Sequence, residues 1–168
     1  HPVIMLPGRL TRWKGQTVFI EAVAKLRRRD LRCLIVGGDQ GRQDYRRELE
    51  AMVESHELGE VVRIVDHCAD MPAAYMLSDA VVSASTDPEA FGRVMIEAQA
   101  LGRPVIASDH GGARETVLTG QTGWLVPPGD ADALSEALAT VLGLDEAARG
   151  RLSDAAIANS DRIEAGSS

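Results

Sequence analysis

The chain has 168 residues, 45% of them apolar and 26% charged, which allows one domain with a sizeable core and excludes a disordered chain. Its 18 basic and 25 acidic residues leave a formal charge of −7, which argues against a nucleic-acid-binding domain. The longest apolar stretches are a handful of residues, far short of a membrane span, and no signal-peptide pattern opens the chain.

Short apolar runs then alternate with longer amphipathic ones. A strand is expected at Val3 to Leu6 and a helix over Gln16 to Arg29. The next pairs are Cys33 to Val36 with Asp44 to Leu58, and Val61 to Val65 with Pro72 to Leu77. A strand at Ala80 to Ala84 precedes a helix over Phe91 to Leu101, whose stripe is Phe91, Val94, Met95, Ala98 and Leu101. Strands follow at Pro104 to Ala107 and Gly123 to Val126, then a helix over Ala131 to Leu142 with Asp130 as its N-cap. From Asp145 the chain reads as helical but weakly striped, and could cross to another domain. His1-Pro2 running straight into the first strand suggests an excised fragment. Residues 1–160 are expected to form the domain and 161–168 a disordered tail or cloning remnant.

Such alternation predicts an α/β fold: a doubly wound, mostly parallel, six-stranded Rossmann-like sheet with helices on both faces. Ligands of such sheets bind beyond the carboxyl ends of the strands, so the segments there are the ones to read. Cys33, in an apolar run, and Cys68, in a turn-like segment, have no metal-ligand spacing and fit a reducing cytosol.

After the first strand, Gly8-Arg9 and Lys14-Gly15 set two cations beside a helix start, which suits a diphosphate. A solvated loop with Trp13 folded onto a neighbour is the other reading. After the fourth strand comes Ser85-Thr86-Asp87-Pro88-Glu89-Ala90-Phe91-Gly92-Arg93, with Glu97 two turns into the helix. Free amides near Phe91, Gly92 and Arg93 could meet a ligand, and Gly92 in a first helical turn costs about 1 kcal/mol against Ala, which close approach of a ligand to the backbone would explain. A carboxylate accepts two hydrogen bonds, so Glu97 could hold a ribose diol and Glu89 hexose hydroxyls. Against that, Glu97 could pair with Arg93, and Glu89 could simply complement the helix N-terminus. Gly37-Gly38-Asp39 is read as a plain turn. His110, in Asp109-His110-Gly111-Gly112, has no orienting partner in view.

Together these segments resemble the C-terminal domain of family 4 retaining glycosyltransferases, enzymes of GT-B architecture with two facing Rossmann-like domains. The resemblance rests on Gly8-Arg9 with Lys14-Gly15, Glu89-Ala90-Phe91-Gly92 with Glu97, and Gly102-Arg103-Pro104-Val105. It extends through Gly111-Gly112 with Glu115 and the run Gly123 to Asp130, so it covers Val3 to about Leu142. Ala90 stands where many members have Gly. The resemblance implies that Arg9, Lys14 and Glu89 act in catalysis, with Gly8, Phe91, Gly92, Arg93 and Glu97 binding the donor nucleotide sugar. It implies no metal and no cofactor besides that donor, a nucleoside-diphosphate sugar. The glycosyl group would pass to an acceptor hydroxyl with retention, and the acceptor site would lie in an N-terminal domain absent from this chain. The fragment alone is then expected to be inactive, and the full-length protein cytoplasmic, with any contact to the inner face of the membrane made by the missing half. A non-catalytic sugar-nucleotide module and another GT-B enzyme, such as a sugar-nucleotide epimerase, are the alternatives. A nicotinamide dehydrogenase fits poorly, because Pro7-Gly8-Arg9 stands where a Gly-rich turn should be.

Overall fold

Six strands, all parallel, run through the centre of the computed structural model, which describes residues 1–38, 41, 43–66, 68–86 and 93–166. They are β1 (Val3–Pro7), β2 (Arg32–Val36), β3 (Val62–Val65), β4 (Ala80–Ser83), β5 (Val105–Ser108) and β6 (Gly123–Val126). Their order in the sheet is β3-β2-β1-β4-β5-β6, with Ile4 beside both Cys33 and Ala80. The chain therefore builds outward from β1 to β3, returns to the middle, and builds outward again from β4. Where it reverses, between β1 and β4, the connecting segments leave in opposite directions and open a crevice at the strands' carboxyl ends.

Seven helices are described: α1 (Gln16–Leu26), α2 (Gln43–Ser55), α3 (Met71–Met76), α4 (Arg93–Ala100), α5 (Ala113–Thr116), α6 (Ala131–Leu142) and α7 (Glu146–Gly166). The two-residue period of the strands sorts them onto two faces. Ile4, Leu6, Cys33, Ile35 and Val82 point to a core closed by Phe19 and Ile20 of α1, Leu49 of α2 and Leu138 of α6. Met5, Val81, Val105 and Ala107 point to the other, closed by Tyr75 of α3 and by Met95 and Ala98 of α4. The expected doubly wound sheet is what forms.

Helix ends follow local chemistry. Asp130 caps α6 by accepting from Ala133 N at 2.9 Å, as its position suggested. α1 stops at Leu26, three residues before the expected Arg29, because Arg27 turns left-handed with φ 53°. α2 closes earlier than Leu58 for a related reason: Glu57 has φ 58°, and Leu58 N bonds back to Val53 O.

The last helix differs most from the sequence reading. It runs to Gly166, past residue 161, and packs on α4 and α5 of this same domain. Its buried face is Leu152, Ala156, Asn159 and Ser160, a helical period written half in polar residues. Asn159 Nδ2 donates to Gln99 Oε1 at 2.7 Å and to Thr116 O at 2.9 Å, while Gln99 Nε2 donates to Met95 O and Thr116 O. Each buried amide is thus satisfied, which is what lets a weakly apolar helix dock. Among the described residues no helix is long and apolar enough to cross a membrane.

Candidate functional site

Three loops meet at the carboxyl ends of the central strands. The first leaves β1 through Pro7-Gly8 and lies against the end of β2: Gly8 N donates to Val36 O at 2.9 Å and Leu10 N to Gly38 O at 3.2 Å. A Cβ on Gly37 would stand 1.8 Å from the Gly8 carbonyl oxygen. Gly37, read from sequence as part of a plain turn, is therefore a packing requirement of the first loop. That loop then makes a 3-10 turn over Arg12–Lys14, a feature the sequence reading did not resolve, and ends at Gly15. Gly15 has φ 77°, opens α1 without a side-chain cap, and would carry a Cβ only 1.8 Å from the Ala84 carbonyl oxygen.

This contact brings in the second loop. Ala84 follows β4, and Thr86 N donates to Trp13 O at 2.8 Å. The third loop is tied to the second by His110, whose ring Nε2 lies 2.9 Å from Ser85 O. A carbonyl only accepts, so Nε2 is the donor in this pair. Among the described residues His110 Nδ1 and Ser85 Oγ are buried without a partner, and both residues line one small cavity. The orienting group that the sequence could not offer His110 comes from the fold.

The cations sit on this frame. Arg9 is exposed; Lys14 is half-buried and lies across Gly8, its Cδ 3.5 Å from where a Gly8 Cβ would be. Lys14 Nζ lies 4.4 Å from the centroid of the Trp13 ring. The Arg9 peptide is braced from beneath: the fully buried Gln16 donates from Nε2 to Arg9 O at 2.9 Å, and Tyr45 Oη donates to Gln16 Oε1 at 3.3 Å. Arg12 forks onto Glu48 at 3.0 and 2.7 Å above the Tyr45 ring, and this pairing raises the Arg12 pKa and lowers that of Glu48. Gln16, Tyr45 and Glu48 carried no signal in the sequence, since a buried glutamine at a helix start looks like any other polar first-turn residue.

α4 follows β4 and begins at the same edge of the sheet. Arg93 and Glu97 are both exposed on it. The alternative Arg93–Glu97 ion pair is not among the salt bridges of the described residues. Glu97 Oε2 instead accepts from Tyr75 Oη at 3.2 Å. Tyr75 is 2% exposed, and burial first, then the Glu97 charge, raise its pKa. Glu89, Phe91 and Gly92 lie outside the described residues. Gly8, Arg9 and Lys14 are thus gathered on one loop, which the segment after β4 joins directly.

The family model described as "Glycosyl transferases group 1" matches residues 1–158. Among curated proteins, the D-inositol 3-phosphate glycosyltransferase of Corynebacterium glutamicum is 38% identical over 150 residues, 86% of this chain and 36% of that protein. The chain thus spans about a third of the length of that relative. A glycosyltransferase from Rickettsia africae superposes with a TM-score of 0.91 at 35% identity, covering 96% of this chain and 43% of that one. Anabaena Alr3699/HepE, solved in complex with UDP and glucose, superposes with a TM-score of 0.89 at 34% identity, covering 95% and 43%.

Proposed function

This chain belongs to the glycosyl transferases group 1 family, and from that premise we propose that it is the half of a GT-B enzyme that binds a nucleoside-diphosphate sugar. One observation carries the reading. The loop bearing Arg9 and Lys14 and the uncapped start of α1 are held against the segment after β4, at the point where the sheet reverses direction. A diphosphate placed there meets an arginine fork, a lysine point charge and backbone amides. UDP with glucose in the Anabaena relative supports the same ligand class.

In this reading Gly8 lets the loop close, and Arg9 and Lys14 bind the diphosphate. Arg93 and the amides of Phe91 and Gly92 complete its shell, Glu89 contacts the donor sugar and Glu97 the ribose. In the intact protein the bond between the sugar C1 and the leaving phosphate oxygen breaks while the acceptor oxygen bonds to C1 on the same face, with retention. The acceptor's proton passes to the leaving phosphate, whose developing charge Arg9 and Lys14 offset without a metal. The acceptor is held by the other half of the two-domain architecture, so the chain by itself transfers no sugar. We place the intact protein in the cytoplasm, where the unpaired Cys33 and Cys68 would stay reduced.

Calorimetry with UDP, GDP and ADP tests this. One nucleotide should be preferred, and Arg9→Ala or Lys14→Ala should weaken it about tenfold or more while hardly changing the free nucleoside. Equal losses for diphosphate and nucleoside would remove the assignment.

A further inference from the structure

We propose that Tyr75 is the positioning residue for ribose recognition: its hydroxyl holds one oxygen of Glu97 so that the other is presented, already oriented, to the vicinal diol of the nucleotide. This rests on the ribose role given above to Glu97. An exposed glutamate on a helix has several rotamers, and Arg93, four residues earlier on α4, offers a competing partner. The structure resolves that competition in favour of Tyr75, whose Oη lies 3.2 Å from Glu97 Oε2.

Tyr75 is suited to the task for three reasons. Its ring is locked in the core with Met95 and Ala98, the α4 residues on either side of Glu97, so the hydroxyl moves with the helix it serves. α3, which carries it, is fixed at its start by Asp70, whose Oδ1 accepts from Ala73 N at 3.1 Å. Burial and the neighbouring carboxylate keep the phenol protonated, so it remains a donor. A hydroxyl donor on Oε2 takes up only one of the carboxylate's lone pairs, so those of Oε1 remain to accept from a diol. The gain is preorganisation: the carboxylate is ordered before the nucleotide arrives.

The experiment is a double-mutant cycle on this chain, with Tyr75→Phe, Glu97→Ala and the pair, read by calorimetry against the preferred ribonucleoside diphosphate and its 2′,3′-dideoxy analogue. Thermal unfolding of each variant is measured in parallel. Tyr75→Phe keeps the ring, so the fold should hold. It is expected to weaken the ribonucleotide by roughly three- to tenfold, leave the dideoxy analogue unchanged, and have no effect on either ligand in the Glu97→Ala background. If Glu97→Ala discriminates between the two nucleotides but Tyr75→Phe weakens both equally, or neither, the positioning role is overturned while the ribose role of Glu97 stands. If Glu97→Ala weakens both ligands equally, the ribose role itself fails and the inference with it.

Discussion

Replacing Gly15 by alanine should damage the protein more than the same change at Gly120 or Gly37, and those two companion substitutions show why. Gly120 has φ 79° with nothing within 4 Å of an added Cβ, so Gly120→Ala measures the backbone penalty alone. Left-handed backbone costs an alanine about 1–2 kcal/mol, partly offset by about 0.4–1 kcal/mol of lost freedom in the unfolded chain. Gly37→Ala measures the steric conflict alone: its φ is not in that region, but its Cβ would stand 1.8 Å from Gly8 O. Gly15 combines both, with φ 77° and a Cβ 1.8 Å from Ala84 O. That contact is about 1.5 Å too short, and what it meets is backbone carbonyl, which cannot swing aside as a side chain could. Relief requires parting the 3-10 turn from the end of β4, which also strains the bond from Thr86 N to Trp13 O. Gly120→Ala is therefore expected to cost about 1 kcal/mol, Gly37→Ala about 2–3 kcal/mol and Gly15→Ala about 4 kcal/mol. Guanidinium unfolding at constant slope measures all three. The same order should appear in the loss of nucleoside-diphosphate affinity for Gly15 and Gly37, with Gly120 unaffected. If Gly15→Ala costs no more than Gly120→Ala, the loop after β1 does not lie against β4 in solution, and the candidate site loses its frame.

Three further outcomes follow from the cores. Asn159→Leu removes the donor to Gln99 Oε1 and strands that buried acceptor, so urea unfolding should show a loss of about 2–3 kcal/mol. A loss below about 0.5 kcal/mol would mean α7 is not docked through these amides. Cys33 is buried and its thiol is pushed from 9.0 up to about 12, so it should resist a thiol reagent at pH 8 until the chain unfolds, while the partly exposed Cys68 reacts first. The sign is that of a raised pKa. The buried thiol's contribution to stability is fully present below about pH 9 and fades as pH climbs towards 12, so a Cys33→Ala variant should flatten alkaline unfolding in that window and not below it.

The class of fold was legible in the chain, and so were the loops at the strand ends where a ligand would sit. Six aliphatic runs of four or five residues, spaced by amphipathic helices, leave little but a parallel sheet covered on both faces, and all six appear where those runs lie. Arg9 and Lys14 stood out as cations beside Gly8 and Gly15 at the end of a buried strand, while the donor-binding roles of these two and of Glu97 rest on the resemblance and on the proposal above. Tertiary structure decided the rest. Gly37 and Gly15 matter through backbones 29 and 69 residues away in sequence, at Gly8 and Ala84, and spacing along a chain carries no record of such contacts. His110 gained its partner, and Glu97 chose Tyr75 over Arg93, only once separate strands and helices were side by side. α7 was read as helical and weakly striped, and it is both, but where it docks was hidden: its buried stripe includes Asn159 and Ser160, whose burial is tolerable only because Gln99, Thr116 and Ile96 stand ready to bond them. Hydrophobic periodicity reports what a segment avoids, water, and is silent about which polar group will be waiting on the other side.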